Sequence, residues 1–161
     1  MTIRDVTQAI EEFAPLAYAE DFDNVGLLVG DSSLSLKGVL ITLDTTEEII
    51  NEAIEKNCNL VVSFHPIIFS GLKKITTNSY VEKTVLKAIE NKISIYSIHT
   101  SLDNHNKGVN YRISEKLSLK NSKILIPSKK SLDIGMGRIG ELEKSLDENI
   151  FLNFIKTQMK T

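Results

Sequence analysis

The sequence predicts an α/β fold, a mixed and mainly parallel sheet flanked by helices. Three observations predict it. Short apolar runs alternate with longer segments of helical spacing, the pattern of strands joined by crossover helices. Two of the runs, Leu60-Val61-Val62-Ser63 and Ile93-Ser94-Ile95-Tyr96-Ser97-Ile98, are β-branched and bounded by turn residues, so both read as buried strands. Each leads within two residues to a histidine, His65 and His99. Open α/β sheets bind their ligands beyond such strand ends.

The elements follow in order. Ile3, Val6, Ile10 and Phe13 recur at helical spacing behind Thr2, a suitable N-cap, and Pro15 ends that helix. The acidic stretch Glu20-Asp21-Phe22-Asp23-Asn24 leads into a glycine-bracketed strand, Val25 to Gly30. Val39 to Leu43 is a second strand. Asp44-Thr45-Thr46 then opens a helix whose first turn carries Glu47 and Glu48, favourable against the helix dipole. Its apolar face is Ile49, Ile50, Ala53 and Ile54. After the strand at 60–63, Asn78 or Ser79 caps a helix over 80–90 that buries Val81, Val85, Ala88 and Ile89. The strand at 93–98 follows, then a helix over 108–117 and a short strand at 124–126. Residues 128–133 read as a linker, and Gly135, Gly137 and Gly140 mark a strand with a bulge or a close backbone approach. A final amphipathic helix spans 147–159. The expected division is a first domain over 1–127, the linker, and the start of a second part over 134–161.

Composition narrows the function classes. The 161 residues are 42% hydrophobic and 25% charged, with 19 basic and 21 acidic side chains and a net charge of −2. That balance suits a globular domain and gives no sign of a nucleic-acid-binding face. Lys120, Lys123, Lys129 and Lys130 read as a solvated loop. The single cysteine, Cys58, allows no intrachain disulfide and lies at the other end of its strand from His65. No signal peptide and no stretch of membrane-spanning length is evident, so a cytoplasmic protein is expected, with no membrane partner.

Three strand ends deliver polar groups to one edge: Asp44 and Thr45, then His65, then His99 and Asp103. Imidazole and carboxylate together suit zinc, iron or manganese rather than calcium, which takes oxygen ligands. Each group also has an ordinary reading. A histidine at a strand end is commonly a satisfied structural residue, and Asp44 and Asp103 are both placed to cap a following helix. His105, in Asn104-His105-Asn106-Lys107-Gly108, reads as an exposed turn residue, and Lys73 and Lys74 as a solvated pair. The glycine spacings match neither a P-loop nor a dinucleotide fingerprint, and no serine sits in a nucleophile elbow.

Five segments in order carry a resemblance: Asp23-Asn24-Val25-Gly26-Leu27-Leu28-Val29-Gly30, Leu43-Asp44-Thr45-Thr46, His65-Pro66-Ile67-Ile68-Phe69, His99-Thr100-Ser101-Leu102-Asp103 with Gly108-Val109-Asn110, and Gly135-Met136-Gly137-Arg138-Ile139-Gly140-Glu141-Leu142. Together they resemble the NIF-three-like family, whose members carry the names GTP cyclohydrolase I type 2 homologue and dinuclear-metal-centre hexameric protein. The resemblance implies a subunit of a toroidal homo-hexamer with two divalent metal ions per subunit. By motif match His65 and Asp103 take the positions of metal ligands, and His99 lies at the edge of the site in a catalytic role. Two departures stand out. Phe64 occupies a position where most relatives place a second histidine, and the chain lacks the C-terminal half from which the family draws a further histidine and a glutamate. A truncated or shortened member is therefore expected. The implied function is a metal-dependent hydrolase acting on a nucleotide or related small molecule. The alternative is a non-catalytic metal-binding ring that serves as a scaffold or binds a partner.

Overall fold

The computed structural model describes residues 1–129 and 131–161. Their contacts divide into two compact units, Met1–Ser101 and Leu102–Thr161. The division falls well before the 128–133 stretch that the sequence suggests as a linker.

The first unit opens with α1 (Ile3–Phe13), capped as the sequence predicts. Thr2 accepts from the Asp5 amide while the Asp5 carboxylate accepts from the Thr2 amide, a reciprocal capping box. A 3-10 turn at Leu16–Tyr18 precedes β1 (Gly26–Val29) and β2 (Val39–Thr42). Thr46 caps α2 (Glu47–Glu55), and β3 (Leu60–Ser63) follows. Ser79 caps α3 (Tyr80–Glu90), which leads to β4 (Ser94–Ser97). The strands lie in the order β1-β4-β3-β2, with β2, β3 and β4 parallel and β1 antiparallel to β4. This is the mixed, mainly parallel sheet that the sequence predicts.

Burial explains why β3 and β4 read as nearly continuous apolar runs. On one face Val61 and Ile95 pack with Ile50 and Ala53 of α2 and with Val85 and Ala88 of α3. On the other, Leu60 and Tyr96 pack with Ile3 of α1. Central strands covered on both faces have no solvent side to mark with polar residues. Ile54 and Ile89, expected in the core, stay 42% and 48% exposed in the last turns of their helices.

A short helix missed by sequence reasoning, α4 (His99–Asn104), starts at His99 itself, and the division between the units falls within it. In the second unit come α5 (Val109–Lys116), β5 (Lys120–Ser128), β6 (Ser131–Glu141) and α6 (Glu148–Met159). The sequence suggests a short strand at 124–126 and a glycine-rich strand at 134–142 there. Both are present and longer: β5 and β6 form an antiparallel ribbon, a separate two-stranded sheet. Lys120 and Lys123 accordingly sit in a strand, Lys129 sits in the turn, and Lys130 lies outside the described residues. Ser128, Lys129, Ser131 and Asp133 lie near the end of a hairpin. Gly135 fulfils its expected role: at φ 152° a side chain there would meet the Ile126 carbonyl at 2.2 Å. No helix among the described residues is long and apolar enough to cross a membrane.

Candidate functional site

Register brings the strand ends together. Thr42 of β2 lies beside Ser63 of β3, which lies beside Ser97 of β4. The parallel ladder continues past the strands: the His65 amide donates to the Leu43 carbonyl at 2.9 Å, and the His99 amide to the Phe64 carbonyl at 3.0 Å. Asp44, the residue after Leu43, therefore faces His65 across neighbouring strand ends, and His65 faces His99. The two imidazole rings are 5.7 Å apart, centre to centre.

Each imidazole is held by its own carboxylate. Nδ1 of His65 lies 2.7 Å from Oδ1 of Asp44, with both side chains well exposed. Nδ1 of His99 lies 2.8 Å from Oδ1 of Asp23, whose side chain is completely buried while His99 remains 19% exposed. A carboxylate only accepts, so Nδ1 carries a proton in both rings, and the neutral form of each ring has its lone pair on Nε2. That is the tautomer required of a metal-ligating or base histidine oriented by a second group.

Asp23 has more partners than His99. The Thr100 amide donates to Oδ2 at 3.1 Å, the Thr100 hydroxyl donates to the same oxygen, and the Asn24 amide donates to Oδ1 at 2.7 Å. Burial alone would push the Asp23 carboxyl up. The hydrogen bonds from Thr100, His99 and Asn24 outweigh it and hold the group below the ordinary carboxylate range. The Thr100 hydroxyl also accepts from the Glu20 amide at 3.0 Å, so one chain of bonds fixes the 20–24 loop to the start of α4. His99 sits at φ 28°, a backbone setting that residues with a side chain rarely adopt. Strain of this kind clusters at functional sites and persists only where the surroundings enforce it.

Aromatic rings wall the site. Phe64 meets His65 edge-on at 5.1 Å and His99 at 5.5 Å, and Phe69 meets His99 at 6.4 Å. Phe22 stands 6.5 Å from Phe69. A bond from the Asn24 amide side chain to the Ile68 carbonyl, 2.6 Å long, latches the loops that carry these two rings. Next to Asp44, the Thr45 hydroxyl is buried with no hydrogen-bond partner among the described residues. A buried hydroxyl in that condition is one that a bound ligand or water would satisfy.

Of the three residues singled out from the sequence, the structure brings His65 and His99 together. Asp103 follows His99 by one helical turn on α4 and falls in the second unit, where its carbonyl accepts from the Asn110 side chain at 3.2 Å. Among the described residues no three His, Cys, Asp or Glu side chains gather in an arrangement that could hold a metal ion. Asp44 orients His65 rather than capping α2, a task taken by Thr46. Sequence reasoning missed the pairing of Asp23 with His99, because the two are 76 residues apart. Two signals were available: Asp23 lies just ahead of the glycine-bracketed strand, and it heads the first segment of the resemblance. His105, expected to be exposed, is half-buried, and burial with the nearby Lys107 pushes its imidazole down.

The whole chain, residues 1–161, matches the family described as Duf34/NIF3 (NGG1p interacting factor 3). It is 39% identical over 161 residues to a Clostridium acetobutylicum protein named GTP cyclohydrolase 1 type 2 homolog, covering 99% of this chain and 60% of that one. A Clostridium perfringens protein of the same name is 35% identical, with 99% and 61% covered. Among solved structures, Staphylococcus aureus protein SA1388 superimposes with a TM-score of 0.88 at 29% identity, covering 99% of this chain and 66% of that one. Reduced HcgD from Methanocaldococcus jannaschii gives 0.83 at 30% identity, with 98% and 60% covered. The chain thus spans about 60% of the length of these curated relatives. With a family match from the first residue to the last, the chain belongs to the Duf34/NIF3 family.

Proposed function

We propose that the chain carries part of the site of a divalent-metal-dependent hydrolase acting on a nucleotide or a related small molecule. The observation that carries the reading is the pair of imidazoles at adjacent strand ends, each with Nδ1 on a carboxylate and Nε2 unspent. His65, backed by the exposed Asp44, has the form of a metal-ligating histidine with its outer partner in place. Asp103 joins it as a ligand by family resemblance. The donor chemistry, imidazole with carboxylate, fits zinc, iron or manganese. A catalytic zinc ordinarily takes three protein ligands, so this chain supplies part of a shell, and the family's C-terminal half supplies the rest. What a divalent cation adds there is Lewis acidity toward water or a substrate oxygen near neutral pH.

The chain's own residues do the remaining work in this proposal. His99, fixed by buried Asp23 and lying mostly out of solvent, takes or returns a proton at Nε2. Phe64 and Phe69 keep bulk water off that nitrogen's ring. Assembly into a toroidal homo-hexamer, as the resemblance implies, and the cytoplasmic location expected from the sequence belong to the same proposal.

The test is GTP turnover by the manganese- or zinc-loaded protein, comparing wild type with His99→Gln. The expected loss is ~100-fold or more in kcat with folding unchanged, the usual contribution of a general acid–base group. GTP left unaltered by the loaded protein, or turnover equal in His99→Gln, would favour the non-catalytic metal-binding ring.

A further inference from the structure

Two phenylalanines beside the histidine pair are displayed where no helix or strand period requires it. Phe22 is 63% exposed and Phe69 is 52% exposed. Single exposed apolar side chains are ordinary, but these two adjoin, with ring centres 6.5 Å apart and planes tilted at 52°. Phe69 also lies edge-on to His99 at 6.4 Å, so the pair stands next to the imidazole proposed to move a proton.

Both rings stand on anchored backbone. Phe22 lies inside a turn closed by the Asp23 amide, which donates to the Glu20 carbonyl at 3.0 Å. Glu20 is itself tied to Thr100, and the Asp23 side chain is buried against His99 and Thr100. On the other loop, Ile67 is buried in the core, and Ile68 and Leu72 pack against that core on either side of Phe69. The bond from Asn24 to the Ile68 carbonyl joins the two loops. The chain is thus fixed before and after each ring while the ring itself meets solvent. Rings held out in this way lose little freedom when a ligand stacks on them.

Charge selects what can stack. The loop Glu20-Asp21-Phe22-Asp23-Asn24 carries three carboxylates and no cation, so a phosphate is repelled from this side of the site. An uncharged nitrogen heterocycle is not repelled. Its N–H groups donate to carboxylates, and its π face stacks on a phenyl ring or meets one edge-on. We propose that Phe22 and Phe69 form the platform on which the base of the substrate stacks, a purine or another planar nitrogen heterocycle. The inference rests on the reading of the site as acting on a nucleotide or related molecule, and adds which end of that molecule these loops hold. Stacking tolerates different bases, because every base has a π face.

The test is titration of inosine, a base and sugar without phosphate, into the whole chain, with the phenylalanine ring resonances followed by NMR. Saturable upfield shifts at Phe22 and Phe69 are expected, and ribose 5-phosphate, which has no base, should leave both unmoved. Phe22→Leu and Phe69→Leu keep apolar bulk and remove the π face. Each should weaken inosine binding by ~10-fold, the loss of one base–aromatic stack. Phe22→Trp should bind at least as tightly as wild type. Should Phe69→Leu disturb folding, Phe22→Leu alters an exposed turn residue and reads the same loss. Equal shifts at Phe13, a residue 50% exposed on α1, would show indiscriminate stacking and overturn the proposal. Affinity unchanged in the leucine variants, or ribose 5-phosphate acting as inosine does, overturns it too. Self-association that Phe22→Leu abolishes, with no inosine shift, would assign the rings to a contact between copies instead. The result is separable from the turnover assay. Inosine bound with GTP left unaltered keeps the platform and removes the hydrolase; GTP turned over with no inosine shift does the reverse.

Discussion

Asp23→Ala is expected to destabilise the protein by about 3–5 kcal/mol, the cost of removing one partner of a buried charged network. The Asp23 side chain is fully buried and accepts from the His99 ring, the Thr100 amide, the Thr100 hydroxyl and the Asn24 amide. Alanine leaves those donors without an acceptor and removes what holds His99 at its positive φ. Asp44→Ala is the matched contrast. Its pair with His65 is as short, but both groups are well exposed, so the expected loss is below about 1 kcal/mol. Chemical denaturation of the two variants reads the difference. A similar cost for both would mean that burial does not distinguish the pairs.

The same network sets a pH dependence. The folded-state pKa of Asp23 is depressed, so its contribution is complete above the unfolded carboxyl value and is lost as pH falls through the folded one. The affected window opens at about pH 4, near the unfolded value, and extends downward. Denaturation midpoints taken at neutral pH and below that value should converge between wild type and Asp23→Ala as the solution is acidified.

Gly30→Ala is the second large effect. Gly30 sits at φ 102°, where an alanine is strained in any surroundings. A Cβ there would also lie 2.2 Å from the Ser94 hydroxyl and 2.7 Å from the Ser94 Cα. A side-chain oxygen can rotate away, but the backbone of β4 cannot without moving the strand that delivers His99. Overpacking with backbone strain costs about 3 kcal/mol or more. Thermal unfolding reads the loss, and the His99 ring resonance in an NMR spectrum should shift with it. An alanine variant as stable as wild type would show that the approach of β1 to β4 is looser than these distances imply.

Local chemistry made much of this fold legible. Thr2 with Asp5, Thr46 and Ser79 are helix starts whose hydrogen bonds close within three residues, so sequence carries the whole signal. The apolar runs of β3 and β4 likewise announce strands covered on both faces. Legibility stops where a residue's role depends on a distant partner. Asp44 is placed as well to cap α2 as to hold His65, and only the register of β2 beside β3 decides between them. Asp23 is an acidic loop residue until the fold sets it against His99. The β5–β6 ribbon is legible only in part: its glycine-rich second strand is expected, but the full length of β5 is not. The polar alternation and lysines of β5 suit an exposed two-stranded ribbon, and the same features suit a loop.

The proposed site makes its most direct claim about metal. The decisive measurement is metal content per chain by plasma mass spectrometry, on protein purified without chelator, for wild type, His65→Ala, Asp103→Ala and His99→Gln. Stoichiometric zinc, iron or manganese in wild type, lost in the His65 and Asp103 variants and kept in His99→Gln, is the predicted result. Metal-free wild type, or metal retained in both the His65 and the Asp103 variants, would contradict the assignment of these residues as ligands.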